Sequence, residues 1–280
     1  MAVRNRSENF RSQSQLSLRL PSPWREVFAV SCDALVLAMR QLKSSHAGEI
    51  RKKQNVAQAG ASRIIDLEIE RFIVTNLKKL DVRVLSEETG LSSTRRAKYF
   101  AILDPIDGTS MAIRGLEFYS ISIACGKLEN ERILSRNIEF AVVNSPGGSF
   151  YGLRGHGSYF NGRRLHTSSV QEIKDAVLRL PQKLPVRQSL PQKADSFLFL
   201  GSTALEMCLV ARGNIDAYVE RKHRKIFDYA AAALIVQEAG GVVSTILGES
   251  LPMRPVGPLS RSTLIVASNQ VLSEKIKDAI

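Results

Sequence analysis

Long hydrophobic runs are missing from this chain of 280 residues. Its apolar segments, such as residues 121–125 and 263–267, are far shorter than the roughly 20 residues that cross a bilayer. We therefore expect no membrane-spanning segment. Residues 1–23 are rich in Arg and Ser and lack a continuous hydrophobic core, so they do not form a secretory signal. A transit peptide, a flexible tail and a misassigned start remain as interpretations of this segment.

Cysteine is scarce: three residues, Cys32, Cys125 and Cys208, lie far apart, each within an apolar segment. No CxxC pair occurs, which disfavours a zinc site and a disulfide framework. The pattern favours buried, reduced thiols in a cytoplasmic protein.

Negative charge is in deficit, since 39 Lys and Arg stand against 27 Asp and Glu, for a net charge of +12. This balance predicts attraction to an anion: nucleic acid, a membrane surface or a small phosphorylated metabolite. The basic clusters at residues 51–53, 95–96 and 221–225 are short and are not interleaved with aromatic residues. A nucleic-acid groove usually combines basic and aromatic residues along one element, so the sequence argues against a nucleic-acid partner.

Hydrophobic spacing predicts two N-terminal helices, one over residues 23–42 and one beginning at Ser62. The polar segment 44–62 between them predicts a loop or a short mobile hairpin. Short apolar runs ended by turns follow, and the turns "NSPGG" and "NG" predict an antiparallel meander over residues 138–165. Beyond a Pro- and Gln-rich loop at residues 181–194, strands and helices alternate. This order predicts an N-terminal tail and two sub-domains, at residues 1–22, 23–180 and 181–280.

Several carboxylates lie where a strand-like run ends. Glu87 and Glu88 follow "RVLS", Asp104 and Asp107 follow "YFAIL", and Asp228 opens a predicted helix. Gathering uncompensated carboxylates is unfavourable unless a cation joins them. A cluster formed by these separate segments therefore predicts a metal site.

The segment "DPIDGTS" has a spacing that suits such a site. Pro105 fixes its own φ and favours a tight turn, which lets Asp104 and Asp107 converge with the carbonyl of Ile106. A ligand set made of oxygen alone selects Mg²⁺ or Mn²⁺ over zinc. The glycine that follows allows close backbone approach. The next amides predict a nest for a phosphate group, formed by Gly108, Thr109 and Ser110.

Each motif also has an interpretation without catalysis. "DPIDG" is by itself a good turn, "EE" at a strand end is often solvated surface, and "FDYAAA" is compatible with an N-capped core helix. Their occurrence together favours the metal site.

The segments "LSEETG", "ILDPIDGTS" and "FDYAAAALIVQEAGG", in this order, resemble the signature segments of the inositol monophosphatase family of Mg²⁺-dependent phosphatases. "NGRRLHTSS" and "LGSTALEMCLVARGNIDAYVE" extend the resemblance, which runs from about Trp24 to the C-terminus. It implies an α/β (α+β) fold, a layered αβαβα sandwich of the inositol monophosphatase/fructose-1,6-bisphosphatase type. It also implies a homodimer.

The resemblance assigns roles to single residues. It implies that the metal ligands are Glu87, Asp104, the carbonyl of Ile106, Asp107 and Asp228. The attacking water would be oriented by Glu87 and by the hydroxyl of Thr109 together with a helix acid, for which Asp66 is the best match. The alternative for Asp66 is a helix-surface charge, with Glu70 one turn on. Contacts with the hydroxyl-bearing ring of the substrate are implied for Gly201, Ser202 and Glu220.

The implied reaction is hydrolysis of a phosphomonoester by water, with two or three Mg²⁺ ions and no covalent intermediate. Myo-inositol 1-phosphate and fructose 1,6-bisphosphate are the expected substrates. One alternative is a nucleotide-directed phosphatase acting on 3′-phosphoadenosine 5′-phosphate or NADP. Another is a non-catalytic protein that binds phosphate or nucleic acid.

The chain also departs from the family pattern. Phe227 stands where many relatives have Trp, and Met111 and Ala112 stand where many have Asn and Phe. These departures affect the expected shape of the pocket more than metal binding. The basic run 221–225, beside the predicted substrate region, is similar to features of the archaeal branch of the family. It predicts either a site for a second phosphate or a solvated loop.

Overall fold

The computed structural model describes residues 20–48, 56–92, 96–181, 194–249 and 256–280. Most of the predicted tail, most of the Pro- and Gln-rich loop, and the basic residues 51–53 and 95 lie outside these ranges. Two helices open the described chain: α1 spans Trp24–Gly48 and α2 spans Val56–Lys78. Within the described ranges, no helix combines the length and the hydropathy that a bilayer span requires.

The loop predicted over residues 44–62 is wrong at both of its ends. α1 continues to Gly48, and α2 begins at Val56, six residues before the predicted start at Ser62. The first turns of α2 read "VAQAGAS" and are rich in alanine, which has the highest helix propensity of all residues. A polar composition alone therefore did not end α1 or delay the start of α2. Residues 49–55, between the two helices, lie outside the described ranges.

Eight strands form the larger sheet. Their bounds are Val82–Ser86 (β1), Gly90–Leu91 (β2), Tyr99–Asp107 (β3), Ser120–Lys127 (β4), Ile138–Ser145 (β5), Gly148–Leu153 (β6), Gly157–Phe160 (β7) and Arg163–Arg164 (β8). A short helix, α3, spans Thr109–Ala112 between β3 and β4. The strand order is β2-β1-β3-β4-β5-β6-β7-β8, with β1 and β3 parallel and the other neighbours antiparallel. The meander predicted over residues 138–165 is therefore confirmed.

Five strands form the smaller sheet. Their bounds are Val177–Arg179 (β9), Ser196–Leu198 (β10), Ala217–Lys225 (β11), Val242–Ser244 (β12) and Arg261–Ala267 (β13). The order is β10-β9-β11-β13-β12, in which β9 is parallel to both of its neighbours and β13 is antiparallel to both of its own. The basic run 221–225 belongs to β11, so the interpretation of this run as a solvated loop is wrong.

The helices and the two sheets alternate in layers. α1 and α2 pack on one face of the larger sheet, where Ala101 and Leu103 of β3 join their core. Phe100 and Ile102 join the core on the opposite face, because side chains alternate along a strand. The space between the sheets holds α4 (Thr203–Ala211) and α5 (Ile226–Glu238), and α6 (Gln270–Ala279) covers the outer face of the smaller sheet. The predicted αβαβα sandwich is confirmed.

The central helix α5 is apolar on all sides. Its buried residues include Ile226, Phe227 and every residue from Tyr229 to Val236, which suits a helix enclosed between two sheets. Asp228 interrupts this apolar run in the first turn, where it reaches the edge of the larger sheet. Phe227, one of the departures from the family pattern, is a core residue.

The sub-domain boundary at residue 181 stays a prediction. β9 precedes that position, yet it pairs with β10 and β11, which follow it. α4 and α5 also follow it, and both contact strands of the larger sheet.

Candidate metal centre

The "DPIDGTS" segment forms the end of β3 and the start of α3. Between Asp104 and Asp107 the register of β3 against β4 shifts, so β3 has a bulge there. Residues three apart point to opposite faces of a regular strand, and the extra residue of a bulge removes this difference. The N–H of Ile106 donates to Asp104 Oδ1 over 3.0 Å, which closes a turn around Pro105.

Three carboxylates from separate elements meet beside this turn. Oxygen atoms of Glu87, Asp104 and Asp228 all lie within 4.8 Å of one another. Glu87 directly follows β1 and Asp104 lies near the end of β3; because these strands are parallel, their carboxyl ends share one edge of the sheet. Asp228 comes from the first turn of α5. The sequence-predicted ligands Glu87, Asp104 and Asp228 are thus brought together.

The charges in this cluster are poorly compensated by the protein itself. Burial, followed by the charges of Glu87, Asp107 and Asp228, raises the pKa of Asp104 well above its usual value. Burial and then the charge of Glu87 raise the pKa of Asp228 to about 6, although Arg224 and Lys225 oppose the shift. A donor set made of carboxylate oxygens alone fits a hard divalent cation such as Mg²⁺ or Mn²⁺.

Asp107 lies next to the cluster and is held from α4. Its Oδ2 accepts hydrogen bonds from Ser202 Oγ and from the N–H of Ala204, each over 2.6 Å. These bonds lower its pKa, but burial and the charge of Asp228 outweigh them and raise the pKa to about 7. Metal ligation by Asp107 and by the carbonyl of Ile106 stays a prediction.

Asp66 and Thr109 form a pair beside the cluster. Asp66 is a buried residue of α2, and its Oδ1 has no hydrogen-bond partner among the described residues. Burial and then the charges of Glu88, Glu87 and Glu70 raise the pKa of Asp66 to about 7, against a hydrogen bond with Thr109 that lowers it. The Thr109 hydroxyl also donates to the Ile106 carbonyl over 2.8 Å. The Thr109 side chain therefore lies near both Asp66 and the metal-binding turn, and its hydroxyl proton goes to the turn.

The predicted substrate residues Gly108, Gly201 and Ser202 lie close together. Gly108 has a φ of +91°, and a Cβ placed on it would lie 2.8 Å from the Phe118 carbonyl and 3.1 Å from the Ser202 Cβ. Gly201 has a φ of +96°, and its added Cβ would lie 2.7 Å from Met111 Cε. Both positions thus require glycine. Met111, another departure from the family pattern, covers the Gly201 backbone.

The amides of the predicted phosphate nest open α3. The N–H groups of Thr109 and Ser110 have no acceptor within the helix, because the first amides of a helix have no preceding turn to bind. The side chain of Ser110 is exposed. Phosphate binding by these amides stays a prediction.

Glu220, the remaining predicted substrate residue, belongs to a buried network of charges. Its Oε2 accepts from Arg224 Nη2 over 2.6 Å and from Arg179 Nη1 over 3.3 Å, and its Oε1 accepts from the N–H of Lys222 over 3.0 Å. Burial raises the pKa of Glu220, but these hydrogen bonds and the arginine charges outweigh it and lower the pKa overall. Both oxygens thus have partners within the protein, and contact with a substrate stays a prediction.

Two functional neighbours were missed by sequence reasoning. Glu70, one turn after Asp66 on α2, accepts hydrogen bonds from the Thr89 hydroxyl and the Glu88 N–H, so it holds the turn that carries Glu87. Its helical spacing from Asp66 was the available signal. Lys225 Nζ donates to Glu87 Oε1 over 2.8 Å. The basic run contained Lys225, but the chain pattern did not indicate which of its residues faces the cluster.

Comparison with known proteins supplies the family. Residues 24–280 match the model of the inositol monophosphatase family. The chain is 29% identical over 272 residues to the fructose-1,6-bisphosphatase/inositol-1-monophosphatase of Methanothermobacter thermautotrophicus, covering 92% of this chain and 96% of that protein. It is 27% identical over 252 residues to the bifunctional NADP phosphatase/NAD kinase of Methanococcus maripaludis, covering 80% of this chain and 44% of that protein. The extragenic suppressor protein suhB of Bartonella henselae has a similar solved structure, with a TM-score of 0.73, 25% identity and coverage of 91% and 98% of the two chains.

Proposed function

Because the chain belongs to the inositol monophosphatase family and is a metal-dependent phosphoric monoester hydrolase, we propose that its substrate is myo-inositol 1-phosphate or fructose 1,6-bisphosphate. The observation that carries this proposal is the meeting of Glu87, Asp104 and Asp228 within 4.8 Å of one another, beside the Asp66–Thr109 pair. The relative from Methanothermobacter thermautotrophicus is named for both activities.

The cofactor in this proposal is Mg²⁺, as two or three ions, with Mn²⁺ as a substitute. Glu87, Asp104, Asp107, Asp228 and the Ile106 carbonyl would hold these ions. When bound, the metal lowers the pKa of a water and stabilises the charge of the phosphate and the leaving alkoxide.

The side chains of the site have separate tasks in this mechanism. The Thr109 hydroxyl donates its single proton to the Ile106 carbonyl, so its lone pairs would accept a hydrogen bond from the attacking water, with the Asp66 carboxylate beside it as a further acceptor. Glu87 would orient the attacking water together with Thr109. The first amides of α3, at Thr109 and Ser110, donate to phosphate oxygens.

A test of this function compares phosphate release from the two substrates, with Mg²⁺ or with excess chelator. We expect turnover that the chelator abolishes and that Asp107→Asn reduces by at least tenfold, because the variant removes a charge from the metal site. Absence of phosphate release from both substrates with Mg²⁺ present would contradict the proposal.

One observation favours fructose 1,6-bisphosphate of the two. Lys225 and Arg261 stand directly opposite each other in the pairing of β11 with β13, so two positive charges face each other there. Like charges directly opposite each other are unfavourable, and Lys225 is already paired with Glu87. The described residues include no carboxylate that pairs with Arg261, which leaves its guanidinium available for a second phosphate of the substrate.

A nucleotide-directed phosphatase is the second candidate, because one similar protein is named an NADP phosphatase. Adding NADP and 3′-phosphoadenosine 5′-phosphate to the same assay separates this candidate from the first. A rate above those of the two sugar phosphates would favour it.

The proposal extends to assembly and location. We expect a homodimer, with twice the 31.0 kDa mass of the chain in light scattering, and a monomeric mass would contradict this.

The reduced cysteines, two of them buried, favour the cytoplasm as the working compartment. Fractionation of cells that make the tagged protein would check the location.

A further inference from the structure

A buried pair of opposite charges, Arg179 of β9 and Glu206 of α4, lies behind the segment that carries Gly201 and Ser202. Their side chains are 1% and 0% exposed, and Arg179 Nε donates to Glu206 Oε2 over 2.7 Å. The guanidinium lies over the rings of Tyr218 and Phe199, with 4.4 Å and 4.9 Å from its central carbon to the ring centroids. Arg179 is thus held in one orientation. Its bond to Oε2 orients the Glu206 carboxylate, so that Oε1 faces the backbone of Leu200 and Gly201.

The other oxygen of Glu206 holds the backbone just before α4. Glu206 Oε1 accepts the N–H of Leu200 and, over 2.8 Å, the N–H of Gly201. These residues lie between β10 and α4, so neither a strand nor a helix determines the path of their backbone. Two bonds to a buried carboxylate therefore determine where Ser202 begins the helix.

Ser202 connects this backbone segment to the predicted metal ligand Asp107. Its hydroxyl donates to Asp107 Oδ2, and the Ala204 N–H donates to the same oxygen, each over 2.6 Å. Because Oδ2 is held from α4, the orientation of the whole Asp107 carboxylate, including Oδ1, depends on where α4 begins.

From these contacts, we propose that Arg179 and Glu206 are positioning residues that orient Asp107 for metal binding through Gly201 and Ser202. The inference rests on the proposed function in one respect, the use of Asp107 as a metal ligand. It assigns a role in metal affinity to two residues that are not predicted metal ligands: Glu206 contacts the Gly201 backbone, and Arg179 contacts Glu206 and Glu220.

Glu238 provides a matched control for Glu206. It is also a helix glutamate whose oxygens accept two loop amides, the N–H groups of Gly155 and Gly157, each over 2.9 Å. That loop lies at the start of β7 and contains none of the predicted site residues. Glu206→Gln and Glu238→Gln therefore make the same chemical change at two glutamates that each hold two loop amides, the first fully buried and the second half-buried.

The test is calorimetric titration of the metal-free full chain with Mg²⁺, for the wild type and the two variants. We expect Glu206→Gln to raise the Kd for Mg²⁺ at least tenfold and Glu238→Gln to change it less than twofold. In the phosphatase assay, excess Mg²⁺ should restore most of the activity of Glu206→Gln, which loss of folded protein would not allow. Circular dichroism confirms that each variant is folded.

Arg179 keeps an acidic partner in the Glu206 variant, because Glu220 Oε2 also lies 3.3 Å from its Nη1. If Glu206→Gln does not fold, Arg179→Lys takes its place, since it keeps the charge but loses the guanidinium that contacts Glu206 through Nε and Glu220 through Nη1. A folded variant with an Mg²⁺ Kd within twofold of the wild type overturns the proposal, and so does a wild type that binds no Mg²⁺. A wild type that binds Mg²⁺ but hydrolyses no phosphate ester contradicts the proposed function alone.

Discussion

At the scale of single residues, Asp66 shows how the site differs from an ordinary helix surface. A charge on the surface of α2 was one interpretation of this residue, and its burial makes that interpretation wrong. Among the described residues its Oδ1 has no hydrogen-bond partner, and its neighbours Glu87, Glu88 and Glu70 are all acidic. Native proteins rarely leave a buried carboxylate in such surroundings without a functional reason.

We predict that Asp66→Asn lowers kcat by about 10²- to 10⁴-fold, the usual contribution of a positioned acid–base group. The same change should raise the Tm of the metal-free protein, because it removes a negative charge from an acidic cluster. Phosphate release and differential scanning calorimetry would measure the two effects. Glu68→Gln, an exposed change on the same helix, should leave both unchanged. A kcat within threefold of the wild type for Asp66→Asn would rule out its proposed role.

At the scale of elements, an irregularity in β11 places the cations of the site. Five residues of β11, from Glu220 to Arg224, correspond to three residues of β13, from Leu264 to Ser262. A bulge of this kind bends the strand and redirects its side chains. Beyond it, Lys225 reaches Glu87 and faces Arg261. The sequence identified the basic run, but the register shift decides that Lys225 belongs to the metal centre.

We predict that Arg261→Gln raises the KM for fructose 1,6-bisphosphate about tenfold, because it removes the cation available to the second phosphate, and charge-assisted contacts of this kind are worth about 1.4 kcal/mol or more. The KM for inositol 1-phosphate should change less than twofold. Steady-state kinetics with both substrates would check this, with Arg163→Gln on β8 as an exposed control. Equal effects on the two substrates would exclude a separate site for a second phosphate.

At the scale of the whole molecule, the layered fold forces like charges together. The parallel pairing of β1 with β3 brings Glu87 and Asp104 to one sheet edge, and enclosure of α5 between the sheets adds Asp228. The apolar layers that make the fold stable also desolvate these carboxylates. The metal-free protein should therefore be less stable at neutral pH than in weak acid.

The direction of this pH dependence follows from Asp66 and Asp107, whose pKa values rise from 3.8 to about 7 on folding. Between these values the folded state binds more protons than the unfolded state, so stability is highest below pH 4 for these groups and falls as the pH rises to 7. With chelator, we predict a loss on the order of a few kcal/mol in the free energy of unfolding between pH 4.5 and pH 7.5. Urea unfolding at both pH values would measure it.

Added Mg²⁺ supplies the control for that experiment. Because the metal binds the ionised carboxylates of the folded state, it should restore stability at pH 7.5 and have little effect at pH 4.5. Stability that is independent of pH in chelator, or an equal effect of Mg²⁺ at both pH values, would contradict the account of the cluster.

By itself, the sequence determined the local features of this protein. Short apolar runs and their turns predicted most of the strands, and the spacing in "DPIDGT" predicted a turn with converging carboxylates, because each depends on residues a few positions apart. The strands β2 and β12 were missed, since runs of two or three residues are too short for any periodicity to show.

The tertiary structure decided what depends on contacts between distant segments. It extended α1 and α2 into a segment whose polar composition predicted a loop, because helix propensity continued through it. Burial of Asp66 and the ion pair between Arg179 and Glu206, 27 positions apart, depend on layer packing that no local pattern records. Sequence motifs could thus predict the acidic ligands, but the stacking of two sheets around α4 and α5 decided which charged side chains are buried close to one another.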